Sequence, residues 1–503
     1  MAASHLATLR AELARRVARD GLDAHQVAAN RLAWTYAQTS AAEAAVEWAT
    51  ATGDRLARRI ARAAEREAEA TLSGASLEDQ VALDSDLAEI FRESSARRDS
   101  PLEEVGASPE ERELRATYRD FSDHVVRPWA LRIHRGQLDL PDQIIDGAAE
   151  LGLFGLTTPL EYGGSAQGEP DYRRMLIATE ELARGSLNAG GSLITRPEIL
   201  VRALVTAGTE NQKRRWLPDV ASGRKMVAVA VSEPGAGSDV AALAECRAER
   251  RGEGWVLNGR KRWAGFSARA ELIAILARTG PAGHRGLSLL VAEKPRLPGP
   301  DFEWRQPGGG RLTGRAIPIL GYRGMHTYDL LFEDFALEGD ALIGGEEWLN
   351  RGFYLQMESF AVGRLQTSAR AVGVMRSAFE DASTYTADRV VFGQPVGSYQ
   401  LPQSMLGRAI AHACIARQLG YEAARGMDSR EGQMRASLAK LYACRLAEEA
   451  ARDCMQLWGG NGYSEESPAS LHFLDARVLT IFEGAEEVLA LKVIARALLD
   501  EGD

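Results

Sequence analysis

The chain has 503 residues, 45% hydrophobic and 26% charged, with a formal net charge of −10. That length and balance allow several domains with proper apolar cores, and an acidic excess without a long basic run argues against nucleic acid as the main partner. Cys246, Cys414, Cys444 and Cys454 form no CxxC pair and the eight histidines no HExxH or Cys/His cluster, which points to a reduced, cytoplasmic protein without a metal site. No run of about 18 apolar residues could span a membrane, and the amphipathic N-terminus, with Glu12 inside it, lacks a signal peptide's apolar core.

Residues 1–75 are rich in Ala, Arg and Glu, and Leu6, Leu9, Leu13 and Val17 fall at helical spacing. "NRLAWTYAQTSAAEAAVEWATA" continues the rhythm and predicts a small helical unit. The stretch from Leu72 to about Glu110, with "SGAS", "SARRDSPLEE" and "GASPEE", reads as a linker holding one short helix. A second helical block follows. "LPDQIIDGAAELGLF" starts a helix at Pro141–Asp142, and "DYRRMLIATEELARG" ends one on a glycine. From 226 to 345, segments such as "MVAVAVSE", "AELIAILART" and "YDLLFEDFAL" are short, alternating and turn-punctuated, which predicts a β-domain. The remainder is helical, broken at "FGQPVGSYQ", "DSREGQ" and "GGNGYSEESP". The expected order is therefore an N-terminal helical extension and linker (1–107), a helical domain (108–225), a β-domain (226–345) and a C-terminal helical bundle (346–503).

Four stretches carry candidate chemistry. In "VSEPGAGSDVA" (Val231–Ala241), Gly235 and Gly237 permit close backbone approach, and Ser232 and Ser238 offer hydroxyls. It is not a dinucleotide fingerprint, because Val240 takes the third glycine position and no βαβ unit follows. A plain glycine-rich turn would also account for it. "QLWGGNGYSEESP" (Gln456–Pro468) either caps a helix or lets backbone reach a phosphate. "TADRVVFGQPVGSYQ" (Thr386–Gln400) places Arg389 at a helix end, where it complements the dipole or fixes a phosphate. In "LTIFEGAEEVLALKVIARALL" (Leu479–Leu499), Glu483 sits among Leu479, Ile481, Phe482 and Gly484. A carboxylate there needs a reason, since an unpaired buried charge is costly.

In this order and spacing the four stretches resemble the acyl-CoA dehydrogenase family, from about residue 108 to 500. "LGYRGMHTYDLLFEDF" and "GRLQTSARAVGV", with "NRLAWTYA" in the extension, look nearest to its 2-methylsuccinyl-CoA dehydrogenases. The resemblance implies a mainly α protein with a β-domain: a helical domain, a β-barrel-like middle domain and a C-terminal four-helix bundle, here behind a helical extension. It implies FAD between the last two domains and an acyl thioester between flavin and carboxylate. Carried over, Glu483 becomes the catalytic base, with flavin N5 accepting the β-hydrogen as hydride and the backbone at Glu483–Gly484 facing the thioester. Val231, Ser232, Gly237, Ser238, Trp263 and Gly265 match positions near the flavin, Ser238 also the pantetheine arm. Arg389, Phe392, Gln400, Gln456, Gly459 and Gly460 match contacts to the FAD of a neighbouring subunit, implying a homodimer or homotetramer. Arg364 and Arg496 match arginines on the CoA side. Electron-transferring flavoprotein, or oxygen, would be the electron acceptor.

Three departures from the family pattern stand out. Trp263–Ala264–Gly265 lacks the Thr or Ser hydroxyl that meets N5, and Ser267 could replace it only if the loop is rearranged. Ala361 stands where an acidic residue usually precedes Arg364. One extra residue separates Glu483 from Arg496. The leading expectation is an FAD-dependent α,β-desaturase of a short, branched acyl thioester of the 2-methylsuccinyl-CoA kind. Two alternatives remain at this stage. One is a flavin oxidase or monooxygenase of the same fold in natural-product biosynthesis, converting an α-methyl β-keto acid to an epoxyketone, with oxygen entering beside Gly265. The other is a flavin-free scaffold.

Overall fold

The computed structural model describes residues 2–97, 102–307 and 309–500, so part of the predicted linker, at 98–101, lies outside the described residues. Helices α1 (Ala2–Asp20), α2 (Gln26–Thr52), α3 (Arg55–Ser73), α4 (Leu77–Ser95) and α5 (Pro109–Phe121) come first. They are followed by α6 (Ala130–Gly136), α7 (Asp142–Glu150), α8 (Tyr172–Gly185), α9 (Thr195–Ala207) and α10 (Glu210–Ala221). Eight strands form the middle of the chain: β1 (Val227–Ala230), β2 (Arg247–Arg251), β3 (Gly254–Gly265), β4 (Leu272–Arg278), β5 (Leu287–Glu293), β6 (Asp301–Arg305), β7 (Arg311–Ala316) and β8 (Thr327–Leu337). Long helices α11 (Gly352–Asp388), α12 (Gln400–Ala424), α13 (Arg430–Trp458) and α14 (Pro468–Leu479) precede a terminal helical segment.

The chain condenses into two compact units that cut across the four predicted segments. The first comprises Met1–Leu131, Leu176–Gly191 and Arg364–Asp503, so the N-terminal helices and the C-terminal bundle share one body. The "short helix" of the linker is in fact α4, 19 residues long. Its Ser76–Asp79 capping box fixes the start, and only Leu87, Ala88 and Ile90 are buried, which is why its amphipathic signal is weak. A buried ion cluster ties α5, α8, α11 and α12 of this unit together. Glu180 meets Arg115 at 2.9 Å, Arg376 at 2.7 Å and Arg417 at 2.9 Å. Against the burial that would raise it, Arg376 and Arg119 hold the Glu103 carboxyl down to about 2.

The second unit, Arg132–Met175 with Ser192–Gly363, is built on the sheet. Its strand order is β1-β4-β2-β3-β8-β7-β6, with β5 paired to β4. Only β1 and one residue pair of β2 run parallel to β4. Alternation along β3 and β8 buries Trp255, Leu257, Leu330, Phe332 and Phe335 in one core. The other face of β1, β4 and β5 packs on α9 and α10 through Leu200, Leu204, Trp216 and Leu276. The ladder between β3 and β8 slips between Lys261 and Ala264, a bulge that re-aims Trp263.

Candidate active site

Glu483 lies in the turn between α14 and the terminal helical segment, a turn closed by a 3.0 Å hydrogen bond from Glu486 N–H to the Thr480 carbonyl. Its φ is +54° and that of Gly484 +97°. A non-glycine residue in this region is strained and persists only where its surroundings fix it. The fixing group is Lys440. This lysine, only 1% exposed in the middle of α13, donates from Nζ to the Leu479 carbonyl (3.0 Å) and the Gly484 carbonyl (2.8 Å). One ammonium thereby joins both sides of the turn. Burial lowers the Lys440 pKa, with Cys444 and Glu483 acting against the shift. Burial likewise pushes the Arg364 guanidinium down to about 10, with the negative charge of Glu483 opposing. Glu483 Oε2 is buried and has no hydrogen-bond partner among the described residues. Nor does the Glu483 N–H donate to any backbone carbonyl among them. Arg370 lies over the Phe482 ring at 4.8 Å. The result is a carboxylate with a free oxygen and a free N–H, beside two cations, on a backbone that cannot easily turn away.

Between Glu483 and Arg496 the chain passes through a π-helical stretch at Leu489–Ala495, a wider winding than the α-helix. Arg496 follows it, 69% exposed, and among the described residues its one ion-pair contact is a long 3.9 Å to Asp500.

In the sheet unit, the glycine-rich turn is anchored through Glu233. Its carboxylate accepts from Lys261 Nζ (3.0 Å) and from the N–H groups of Ala244, Glu245 and Cys246. Lys261 also donates to the Val231 carbonyl at 2.7 Å, and Arg262 N–H to that of Ser232 at 2.8 Å. Val231, Ser232 and Trp263 are thus brought to one place. Trp263, at φ +65°, is 54% exposed, with the Arg262 guanidinium over its ring at 5.0 Å. A Cβ at Gly235 or Gly237 would meet open space, and Ser238 is exposed. Gly265 is different. A Cβ there would lie 2.5 Å from Nη2 of Arg196, whose guanidinium fills that space. Ser267 cannot supply the missing hydroxyl, since it is buried and donates to the Ala264 carbonyl at 2.9 Å.

The remaining positions cluster around Tyr385 in the first unit. Arg389 N–H donates to the Tyr385 carbonyl, and Arg389 leads an exposed two-stranded hairpin, Val390–Val391 with Gln394–Pro395. Phe392, at its tip, is 99% exposed at φ +47°. Trp458, after Gln456 on α13, stacks on Tyr385 at 4.2 Å, and Asn461 Nδ2 donates to the Tyr385 hydroxyl at 2.9 Å. Gly459 and Gly460 again face open space, and Gln400 is exposed at the start of α12. Exposed Val390, Phe392, Leu401 and Tyr463 make this an apolar surface around bare glycine backbone and an arginine.

Lys440 and Arg196 escape the sequence reading. The only signal for Lys440 is a cation inside the apolar run "SLAKLYAC", and nothing in the sequence sets Arg196 apart.

Comparison with known proteins gives the class of enzyme to which these features belong. The acyl-CoA dehydrogenase N-terminal, middle and C-terminal domain models match residues 108–224, 228–335 and 350–499. The chain is 39% identical to the (2S)-methylsuccinyl-CoA dehydrogenase of Cereibacter sphaeroides over 78% of its own length and 71% of that protein's. The structure of butyryl-CoA dehydrogenase from Megasphaera elsdenii superimposes with a TM-score of 0.70 at 26% identity, covering 78% of this chain and 98% of that one. A glutaryl-CoA dehydrogenase from Mycobacterium smegmatis in complex with FADH2 gives 0.68 at 26% identity, covering 78% and 95%. The chain belongs to the acyl-CoA dehydrogenase family. The exposed Trp263 and the open glycines fit the FAD that this family uses.

Proposed function

We propose that the enzyme desaturates a short, branched acyl-CoA bearing a second carboxylate, of the 2-methylsuccinyl-CoA kind. The observation that carries the chemistry is the Glu483 turn, with its partnerless Oε2 and fixed positive φ. Glu483 takes the α-proton, and holding it in place replaces a bimolecular encounter. Its free N–H donates to the thioester oxygen as enolate character develops. FAD, when bound, supplies the acceptor for the β-hydride. In this reading Ser238, Arg364, Gly484 and Arg496 serve the thioester and its CoA arm. Arg389, Phe392, Gln400, Gln456, Gly459 and Gly460 serve the FAD of a second copy, and the exposed apolar residues around Tyr385 support such a homo-oligomer. Four buried, unpaired cysteines suit a reducing cytoplasm. Among the described residues no helix is long and apolar enough to cross a membrane.

The oxidase and monooxygenase reading is not favoured. It required open space for oxygen at Gly265, and Arg196 occupies that space. Anaerobic mixing with 2-methylsuccinyl-CoA tests the proposal. Rapid flavin bleaching, followed by slow reoxidation in air and fast reoxidation by an electron-transferring flavoprotein, is expected. Fast reoxidation by oxygen with an oxygenated product would overturn it.

A further inference from the structure

We infer that Arg196 is the residue that binds the free carboxylate of the acyl substrate, with its guanidinium standing where other side chains would occupy position 265. The inference rests on the functional reading above, in which residue 265 faces the flavin.

Arg196 is half-buried, yet its contacts are poor for a guanidinium. Nη1 reaches the Ser192 carbonyl at 3.3 Å and Met325 Sδ at 3.1 Å, and Nη2 reaches the Tyr322 hydroxyl at 3.5 Å. All three partners are neutral. Among the described residues no carboxylate lies within ion-pair distance. The other buried or half-buried arginines of this unit are better served. Arg202, on the same helix, holds Glu358 at 2.8 Å, Arg269 is paired with Asp142, and Arg278 is wrapped by the carbonyls of Leu243, Pro281 and Gly283. A guanidinium carries five N–H donors in a planar fork that matches a carboxylate, and Arg196 spends its own on three neutral partners, with no partner for Nε among the described residues.

Its position adds to the case. Arg196 lies in the first turn of the 13-residue helix α9, whose N-cap residue Ile194 offers no side-chain hydrogen bond. The helix start therefore favours an anion. Thr195 beside it is 2% exposed and its hydroxyl has no partner among the described residues.

The chemistry of the substrate then selects the anion. The hydride leaves the β-carbon toward the flavin, so the group filling position 265 lies beside that carbon. In a succinyl-type acyl group the β-carbon itself carries the carboxylate, one bond from the reacting atom. A monocarboxylic acyl group puts only a methyl there and would leave the cation desolvated and unpaired. The glycine is part of the same device. A hydroxyl-bearing residue at 265 would push the guanidinium out.

The test uses FAD-loaded wild type, Arg196→Met, Arg196→Lys and Gly265→Ala. Each is titrated with 2-methylfumaryl-CoA, the desaturated product, which cannot reduce the flavin, and binding is read from the perturbed flavin spectrum. Each is then mixed anaerobically with 2-methylsuccinyl-CoA and with 2-methylbutyryl-CoA, where methyl replaces the carboxylate. We expect Arg196→Met to weaken product binding by about 100-fold or more, as for loss of one partner of a desolvated charge pair. Its apparent affinity for 2-methylbutyryl-CoA should be retained or improved, because methionine removes the cation that this acyl group leaves unpaired, with Arg196→Lys and Gly265→Ala intermediate for the carboxylate ligands. If wild type is reduced by 2-methylsuccinyl-CoA and Arg196→Met binds the product as wild type does, the assignment is wrong while the functional reading stands. If wild type is reduced by 2-methylbutyryl-CoA and not by 2-methylsuccinyl-CoA, the substrate reading itself fails and takes this assignment with it.

Discussion

Replacing Lys440 by methionine should cripple flavin reduction while leaving the fold nearly as stable. Methionine keeps the apolar stem and removes the donors, so the carbonyls of Leu479 and Gly484 lose hydrogen bonds of 3.0 and 2.8 Å. Each buried acceptor left without a partner costs about 1–3 kcal/mol. The gross loss of roughly 2–6 kcal/mol is partly offset, because burying an ammonium is itself unfavourable. A net loss of about 3 kcal/mol confined to the turn would lower the population of the Glu483 conformer, and with it the rate, by about 100-fold. Spread over a protein of this size, the same energy moves the melting temperature by only a few degrees, roughly. Stopped-flow bleaching of the flavin by 2-methylsuccinyl-CoA, beside a thermal melt, separates the two effects. A variant that melts lower but bleaches at the wild-type rate would show that Lys440 supports packing and does not position the base.

Glu483→Gln should retain FAD and fold yet lose bleaching by about 10²–10⁴-fold, the usual cost of removing a positioned base; near-normal bleaching would move the base elsewhere. Arg389→Ala should release FAD and shift the oligomer together, with Arg389→Lys only a partial rescue, as read by flavin content and light scattering. For Glu198, burial pushes the carboxyl up to about 8 against the hydrogen bonds from Thr157. Between the unfolded value of 4.5 and about 8, the folded state therefore holds a proton that the unfolded state has lost. Stability should fall as pH rises through that window, by up to roughly 1.4 kcal/mol per pH unit. Glu198→Gln should flatten the dependence of melting temperature on pH from 5 to 8, and an unchanged slope would mean that Glu198 is not protonated in the fold.

The alternation of helices, strands and helices was legible because hydrophobic periodicity switches at 226 and again near 346. Glu483, proposed as the base, stands out in the sequence for a local reason, a carboxylate among apolar neighbours. Lys440 was hidden because its partners are backbone carbonyls 39 and 44 residues away. Arg196 was hidden for the opposite reason. What sets it apart is that its few contacts are long or to sulfur and none is to an acid, and a missing partner leaves no mark in a sequence. Helix α4 was under-read since its polar residues are spent on distant groups. Asp84 accepts from Ser404 Oγ and lies 3.3 Å from Arg408, both on α12.

The same distance effect accounts for the N-terminal helices. Residues 436–444 of α13 are buried without a break, Lys440 among them. Nine consecutive buried residues cannot lie on one face of a helix, so α13 must be enclosed on every side. Helices α12 and α14 supply part of the enclosure, and α2 supplies another wall. Trp34 of α2 stacks on Tyr442 at 5.9 Å, and Arg445 lies 3.9 Å over the Trp34 ring. Arg445 is also paired with Glu486, three residues beyond Glu483. Further along, Lys492 in the π-helical stretch reaches Asp23 at 2.9 Å. One face of α13 thus holds the Glu483 turn through Lys440, and another rests on the extension through Tyr442 and Arg445. Helix α13 can carry a run as apolar and small as "SLAKLYAC" only because α2 covers the side that would otherwise meet water. The extension is a wall of the core that fixes the Glu483 turn.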